Sequence, residues 1–110
     1  MQGVELHAAL ADPTRRRILE LLRDDEVPAG RLADEFAVSR PAVSRHLRVL
    51  REAGLVRSRV DGQRRLYALD PRPLAELDEW LAPYRHLWAH RLDAFDTEIR
   101  RGRRSRRNDR

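Results

Sequence analysis

Residues 37–56, AVSRPAVSRHLRVLREAGLV, decide the fold. They read as one capped helix. Ser39 is placed to cap it, its hydroxyl accepting from a free backbone N–H two or three residues on. Pro41 falls in the first turn, where its missing N–H costs nothing. Val43, Leu47 and Leu50 recur at helical spacing and form a dry stripe. Arg40, Ser44, Arg45, Arg48 and Arg51 fall mostly on the other side. Gly54 ends the helix, since glycine takes the left-handed conformation without penalty. A helix dry on one face and rich in guanidinium on the other suits a nucleic-acid groove.

Immediately upstream, residues 29–36 form a shorter helix with Leu32, Ala33 and Phe36 on its apolar side, and Ala37-Val38 is a tight connection. Two short helices joined by such a turn, the second one basic, make the helix-turn-helix pattern. Before them, Asp12-Pro13 is a strong start signal. The helix it opens is expected to bury Ile18, Leu19 and Leu22, to expose Arg15, Arg16 and Arg17, and to end in a loop through 24–28. Val4, His7 and Leu10 share a register on a short amino-terminal helix.

Downstream, residues 55–60 and 65–69 are β-rich, and Asp61-Gly62-Gln63-Arg64 between them carries the Asp-Gly signature of a hairpin. A two-stranded wing behind a helix-turn-helix is the winged-helix arrangement, and Arg64 and Arg65 at its tip are placed over a phosphate backbone or a minor groove. Asp70-Pro71 ends the wing. From about Pro73, apolar residues recur every three or four positions: Leu74, Leu77, Leu81, Tyr84, Trp88, Leu92, Phe95 and Ile99, widened by Trp80 and Leu87. Such a helix extends ~30 Å or more at 1.5 Å per residue, longer than a small core can cover. Its natural cover is a second copy of itself. Val4, Leu77, Leu81, Tyr84, Trp88, Leu92 and Phe95 are the expected dimer interface. Pro83 is expected to break or kink the helix, because it removes a hydrogen bond to Glu79.

The expected architecture is mainly α with a small β-hairpin wing, dimerising through terminal helices. One domain spans residues 1–99. Residues 100–110, RRGRRSRRNDR, contain no apolar side chain and are expected to be disordered, with a non-specific phosphate grip and a solubilising tail as the two possible roles.

Charge sharpens the picture. The net charge is +5, but residues 39–65 carry eight arginines against two acids, while residues 1–38 and 66–99 are net acidic. Residues 100–110 hold seven arginines against one acid. Net positive charge is thus concentrated in the capped helix, the hairpin and the tail. All 23 basic residues are arginine, which suits both base edges and phosphates through its planar fork.

The chain has no cysteine, so disulfides, thiolate metal sites and thiol redox sensing are excluded. No glycine-rich phosphate loop and no serine–histidine–acid set appears, and an enzyme is not expected. No apolar run reaches membrane-spanning length and no signal-peptide pattern opens the chain; a cytoplasmic location is expected.

Together LADPTRRRILELL, LADEFAVSRPAVSRHLRVLREAGLV and GQRRLYAL resemble the ArsR-type winged-helix transcriptional regulators of bacteria, over about residues 4–99. The later runs WLAPYRHLW and RLDAF resemble the cysteine-free, SdpR-like branch. The resemblance implies a homodimer, one recognition helix per subunit in successive major grooves, a palindromic double-stranded DNA operator, and repression that extends to autoregulation. The candidate DNA contacts are Ser39, Arg40, Ser44, Arg45, His46, Arg48, Arg51, Arg64 and Arg65. Arg40 and Arg45 are the candidates for guanine O6/N7; Ser39 and Ser44 suit phosphate or a thymine edge. His46 falls between the buried and exposed faces, with backbone phosphate and packing against the preceding helix as its two possible roles.

The founding metal sensors of this family carry cysteine on the helix before the recognition helix. Here that segment reads RLADEFAV, which removes arsenite-type sensing at that site. His86 and His90 lie one turn apart with Asp93 three residues on, a spacing that zinc or nickel can use. Against a metal site, interface packing is a sufficient explanation for His86, and the aspartate–histidine pair expected earlier on the helix is absent. No cofactor is expected, and no residue pattern identifies a small-molecule effector. Besides a metal-responsive repressor, the other competing function is a winged helix that binds protein instead of DNA. The basic excess over residues 39–65 argues against that one.

Overall fold

The computed structural model describes residues 5–108 and falls into two compact units that divide between Ala75 and Glu76. The first holds a winged helix-turn-helix: α1 (Leu6–Leu10), α2 (Pro13–Leu21), β1 (Val27–Pro28), α3 (Ala29–Asp34), α4 (Arg40–Glu52), β2 (Val56–Asp61) and β3 (Arg64–Leu69). One helix, α5 (Arg72–Asn108), begins in this unit and forms the second.

Local chemistry sets the helix ends. The Asp12 carboxylate accepts from the backbone N–H groups of Thr14 and Arg15 at 2.8 and 3.1 Å, with Pro13 as the first residue of α2. Ser39 Oγ accepts from the Ala42 N–H at 3.2 Å, as the sequence predicts. At the other end of α4, the Gly54 N–H donates to the Arg51 carbonyl and the Leu55 N–H to the Leu50 carbonyl, both at 2.9 Å, with Gly54 at φ +78°. This is the Schellman closure, and it turns Leu55 back onto the core beside Leu50.

The core of this unit is built where the periodicity places it. Ile18, Leu22, Leu32, Val43, Leu47, Leu50, Leu55 and Val56 are buried, with the Tyr67 ring among them. Burial of each large aliphatic side chain contributes about 1.5–3 kcal/mol.

The structure corrects several expectations. Residues 27–28 are not loop. They form an edge strand that pairs Val27 with Tyr67 and Pro28 with Leu66, giving an antiparallel sheet in the order β1-β3-β2. Two residues carry no alternation that a pattern reader could detect, and Pro28 is tolerated because an edge strand has a free side. The short helix α3 stops at Asp34, leaving Phe36 beyond it but packed against the core. In the wing, Asp61 belongs to β2 and pairs with Arg64, so the two-residue turn is Gly62-Gln63. Gly62 has φ +64° and Gln63 does not have positive φ, the pattern of a type II′ turn with glycine first, not a type I′ Asp-Gly turn. Val60, near the tip, is exposed.

Pro83 does not interrupt α5, which is helical on both sides of it. Leu, Glu, Ala and Arg around it are strong helix formers, and the single lost hydrogen bond is not enough to end the helix. The backbone is also helical through Asn108, beyond the Arg100 at which the loss of apolar residues sets the expected end of order. Arginine propagates a helix without burial, and Arg100 pairs with Asp96 one turn back at 2.9 Å.

Candidate nucleic-acid interface

At about 100° per residue, the buried Val43, Leu47 and Leu50 occupy one stripe of α4. Arg40, Ser44, Arg48 and Arg51 follow one another on an adjoining face with Arg45 beside them, and all five are exposed, as is Ser39 at the cap. The sequence therefore presents an unobstructed polar row of four guanidinium groups and two hydroxyls. Among the described residues, only Arg40 of the four has an ion-pair partner, Asp34 at 3.7 Å on the surface of α3. Beside the row, Arg40 and Ser44 edge a recess of about 180 Å³ floored by Val43, Leu47 and Tyr67 and walled by the small residues Ala29, Gly30 and Ala33 of α3.

His46 is set apart from this row. It lies on the far flank of the apolar stripe, half-buried, where its Nδ1 is 3.3 Å from Arg15 Nη1 and 4.0 Å from Asp12 Oδ1. Partial burial opposes the charge on Asp12, but the N–H groups of Arg15 and Thr14 outweigh it and hold the carboxyl below its ordinary pKa. Arg15 is accordingly not the freely exposed residue that the helical pattern suggests. Its Nε donates to the Ala9 carbonyl at 2.7 Å and its Nη2 to the Ala8 carbonyl at 2.9 Å, while Arg16 Nη1 reaches the carbonyls of Leu10 and Ala11.

In the wing, Arg64 and Arg65 are exposed as expected, Arg64 beside Asp61 at 3.3 Å and Arg65 donating to Ser58 Oγ at 3.1 Å. Arg59 is different. Its Nε and Nη2 donate to the two oxygens of Glu26 at 2.8 and 2.7 Å, and this side-chain hydrogen bond holds the Glu26 carboxyl below its ordinary pKa. At the base of the wing, the buried Asp70 accepts from the Arg72 side chain at 2.6 to 3.1 Å and from the Arg72 backbone N–H at 3.1 Å. Those bonds lead the causes that lower the Asp70 pKa to about 2, with Arg57 Nε 3.9 Å away adding charge. Sequence reading missed both junctions. Glu26 and Arg59 are 33 residues apart and no local pattern links them; the Asp70-x-Arg72 spacing, by contrast, is a readable side-chain-to-backbone turn at a helix start.

On α5, Tyr84, Trp88 and Phe95 are between 45% and 60% exposed, and Leu77 and Leu81 are half-buried. The Trp80 and Tyr84 rings pack in a tilted arrangement, 36° between planes, with centroids 5.3 Å apart. Val4 and the side chains of Leu92 and Asp93 lie outside the described residues. His86 and His90 are exposed on α5, and among the described residues no three His, Cys, Asp or Glu side chains are grouped to hold a metal ion. No described helix is long and apolar enough to cross a membrane.

A family model described as a helix-turn-helix domain matches residues 10–59. The HTH-type transcriptional regulator Rv2034 of Mycobacterium tuberculosis is 55% identical over 69 residues, which are 63% of this chain and 64% of that protein, just under two thirds of its length. The transcriptional repressor SdpR of Bacillus subtilis is 37% identical over 73 residues, 66% of this chain and 81% of that one. Among solved structures, an ArsR-like transcriptional regulator from Rhodococcus sp. RHA1 superposes with a TM-score of 0.68 at 34% identity, covering 84% of each chain.

Proposed function

The chain belongs to the ArsR-type winged helix-turn-helix transcriptional regulators, which bind DNA and are not enzymes, and from that membership we propose that it is a homodimeric, autoregulatory repressor of a palindromic operator in the cytoplasm. The observation that carries the reading is the exposed row Arg40, Ser44, Arg45, Arg48 and Arg51 on a helix whose other face is buried. Arg40 and Arg45 read guanine O6/N7 in the major groove, where each bidentate contact is worth ~1–3 kcal/mol of discrimination. Ser39, Ser44, Arg48 and Arg51 hold phosphates or groove edges, and Arg64 and Arg65 grip the backbone from the wing. Residues 1–99 serve both binding and dimerisation, and the arginines from Arg100 onward add a sequence-independent phosphate grip.

Support for the dimer comes from α5. A helix that leaves Tyr84, Trp88 and Phe95 about half exposed presents an apolar face of the kind monomers rarely keep. A two-fold dimer requires half-sites ~10 bp apart or a multiple of that.

The deciding experiment combines sedimentation with gel shift on the DNA upstream of the chain's own gene, at graded salt. The expected result is a dimer at micromolar concentration, two protomers per palindrome, and a preference for the palindrome that survives at salt where random DNA is released. A monomer, or binding that vanishes equally for all sequences, overturns the reading.

A further inference from the structure

Three elements of the first unit meet at one guanidinium group. Arg15 leaves the first turn of α2, donates through Nε and Nη2 to the Ala9 and Ala8 carbonyls that end α1, and places Nη1 3.3 Å from His46 Nδ1 on α4. A guanidinium has only donors. The imidazole Nδ1 is therefore the acceptor of this pair, and the ring hydrogen is assigned to Nε2. Asp12 Oδ1, 4.0 Å from the same Nδ1, is already engaged by the N–H groups of Thr14 and Arg15. With Arg16 on Leu10 and Ala11, four consecutive carbonyls at the end of α1 accept from guanidinium groups of α2.

Apart from the exposed Arg40–Asp34 pair at 3.7 Å, the other anchors of α4 are of a different kind. Val43, Leu47 and Leu50 hold it against the core through burial, which is non-directional and tolerates small rotations or slides. A hydrogen bond is directional. His46 is thus the point at which α4 receives an orientational tie to the amino-terminal helix, and it sits on the flank away from the proposed DNA-reading row.

We propose that Arg15 and His46 are positioning residues that fix α4 relative to α1 and thereby set which half-site spacing the protein accepts. In this proposal neither contacts DNA: of the two roles expected for His46, phosphate contact or packing, it takes packing, with Nδ1 against Arg15. This rests on the homodimeric, palindrome-binding reading above: two recognition helices can match two half-sites only if each is held in one orientation relative to the dimer. Inserting one base pair between half-sites rotates one against the other by about 35°. A loosened α4 follows that displacement; a braced one does not.

The test measures affinity for the native palindrome, for palindromes with one central base pair added or removed, and for DNA carrying a single half-site, with a thermal melt of each variant. His46→Phe keeps the ring and deletes the acceptor. His46→Asn restores an acceptor near the Nδ1 position. Arg15→Lys keeps the charge but loses the fork, and provides a second route should the phenylalanine variant unfold. The expected result is that His46→Phe and Arg15→Lys shrink the preference for native spacing by roughly five- to tenfold, leave single-half-site affinity unchanged, and that His46→Asn recovers most of the preference. Unchanged spacing preference in both variants overturns the proposal, as does a parallel fall in half-site affinity that His46→Asn does not rescue. A wild-type protein with no spacing preference overturns it together with the dimer reading, whereas discrimination retained by wild type and variants alike removes the brace alone.

Discussion

Glu26 and Arg59 meet in a two-point hydrogen bond, at 2.8 and 2.7 Å, that ties the segment before β1 to the wing strand β2 across the intervening β3. The wing is therefore braced to the body of the fold by a charge pair, and one of its arginines is neutralised from within. Arg65, by contrast, donates to the uncharged Ser58 hydroxyl and keeps its charge for a phosphate. In a plot of log affinity against log salt, Arg65→Ala should lower the slope by about 0.9, the value of one released counterion, while Arg59→Ala should leave it nearly unchanged. Titrations by fluorescence anisotropy over a range of salt measure both slopes. A full-unit drop for Arg59→Ala would mean that DNA takes the arginine from Glu26.

Acid should weaken the fold through Asp70. Its carboxyl is lowered from the ordinary value of 3.8 to about 2, chiefly by the Arg72 side chain and then by the Arg72 backbone N–H. The unfolded chain takes up this proton first as pH falls, so the stabilisation is complete above the ordinary carboxylate pKa and is lost between about pH 4 and pH 2. Glu26 and Asp12, shifted in the same direction, add to the loss as pH falls. Melting temperatures recorded through this window should fall more steeply for the wild type than for Asp70→Asn, which keeps an acceptor for the turn but has no charge to lose. Parallel curves would contradict the assignment.

Two glycines should respond in opposite directions. Gly54 closes α4 at φ +78°, and an added Cβ would meet Pro73 Cγ at an ordinary 3.6 Å, so the cost of Gly54→Ala is backbone strain alone. Roughly 1–2 kcal/mol of destabilisation is expected. Gly30 lies within α3, has no positive φ, and would place its Cβ in open space. Gly30→Ala should stabilise by about 0.4–1 kcal/mol, because the unfolded chain loses freedom. Denaturant unfolding of the two variants gives both signs.

The contrast between these positions shows which features were legible in the sequence. Ser39, Pro41, Val43, Leu47, Leu50 and Gly54 are read correctly because a cap, a helical stripe and a left-handed stop each depend on neighbours within a few residues. The exposed polar row of α4 follows from the same periodicity. What escaped is non-local. Nothing in the residues around Glu26 announces Arg59, and nothing around Arg15 announces His46, 31 positions away; those pairings exist only once the sheet and the helices have packed. The edge strand Val27–Pro28 is likewise defined by its partner Tyr67 and not by its own side chains. Pro83 does not break α5, because one lost hydrogen bond can be absorbed in a helix of 37 residues.

Ser39 serves two ends that substitution can separate. As a cap, its Oγ accepts the Ala42 N–H at 3.2 Å, and Ser39→Ala should cost about 1 kcal/mol of stability. As an exposed hydroxyl at the leading end of α4, it is also a proposed phosphate contact. Aspartate caps a helix as well as serine does, and its charge suits the helix amino terminus. Ser39→Asp should therefore unfold at the same denaturant concentration as the wild type or slightly above it. On DNA the same carboxylate faces the phosphate backbone, and affinity should fall roughly tenfold at low salt, with the deficit narrowing as added salt screens the repulsion. Ser39→Ala should show the reverse: lower stability and only a small loss of affinity once the protein is folded. If Ser39→Asp binds operator and random DNA as tightly as the wild type does, the amino-terminal end of α4 does not approach phosphate, and the helix enters the groove by a different end.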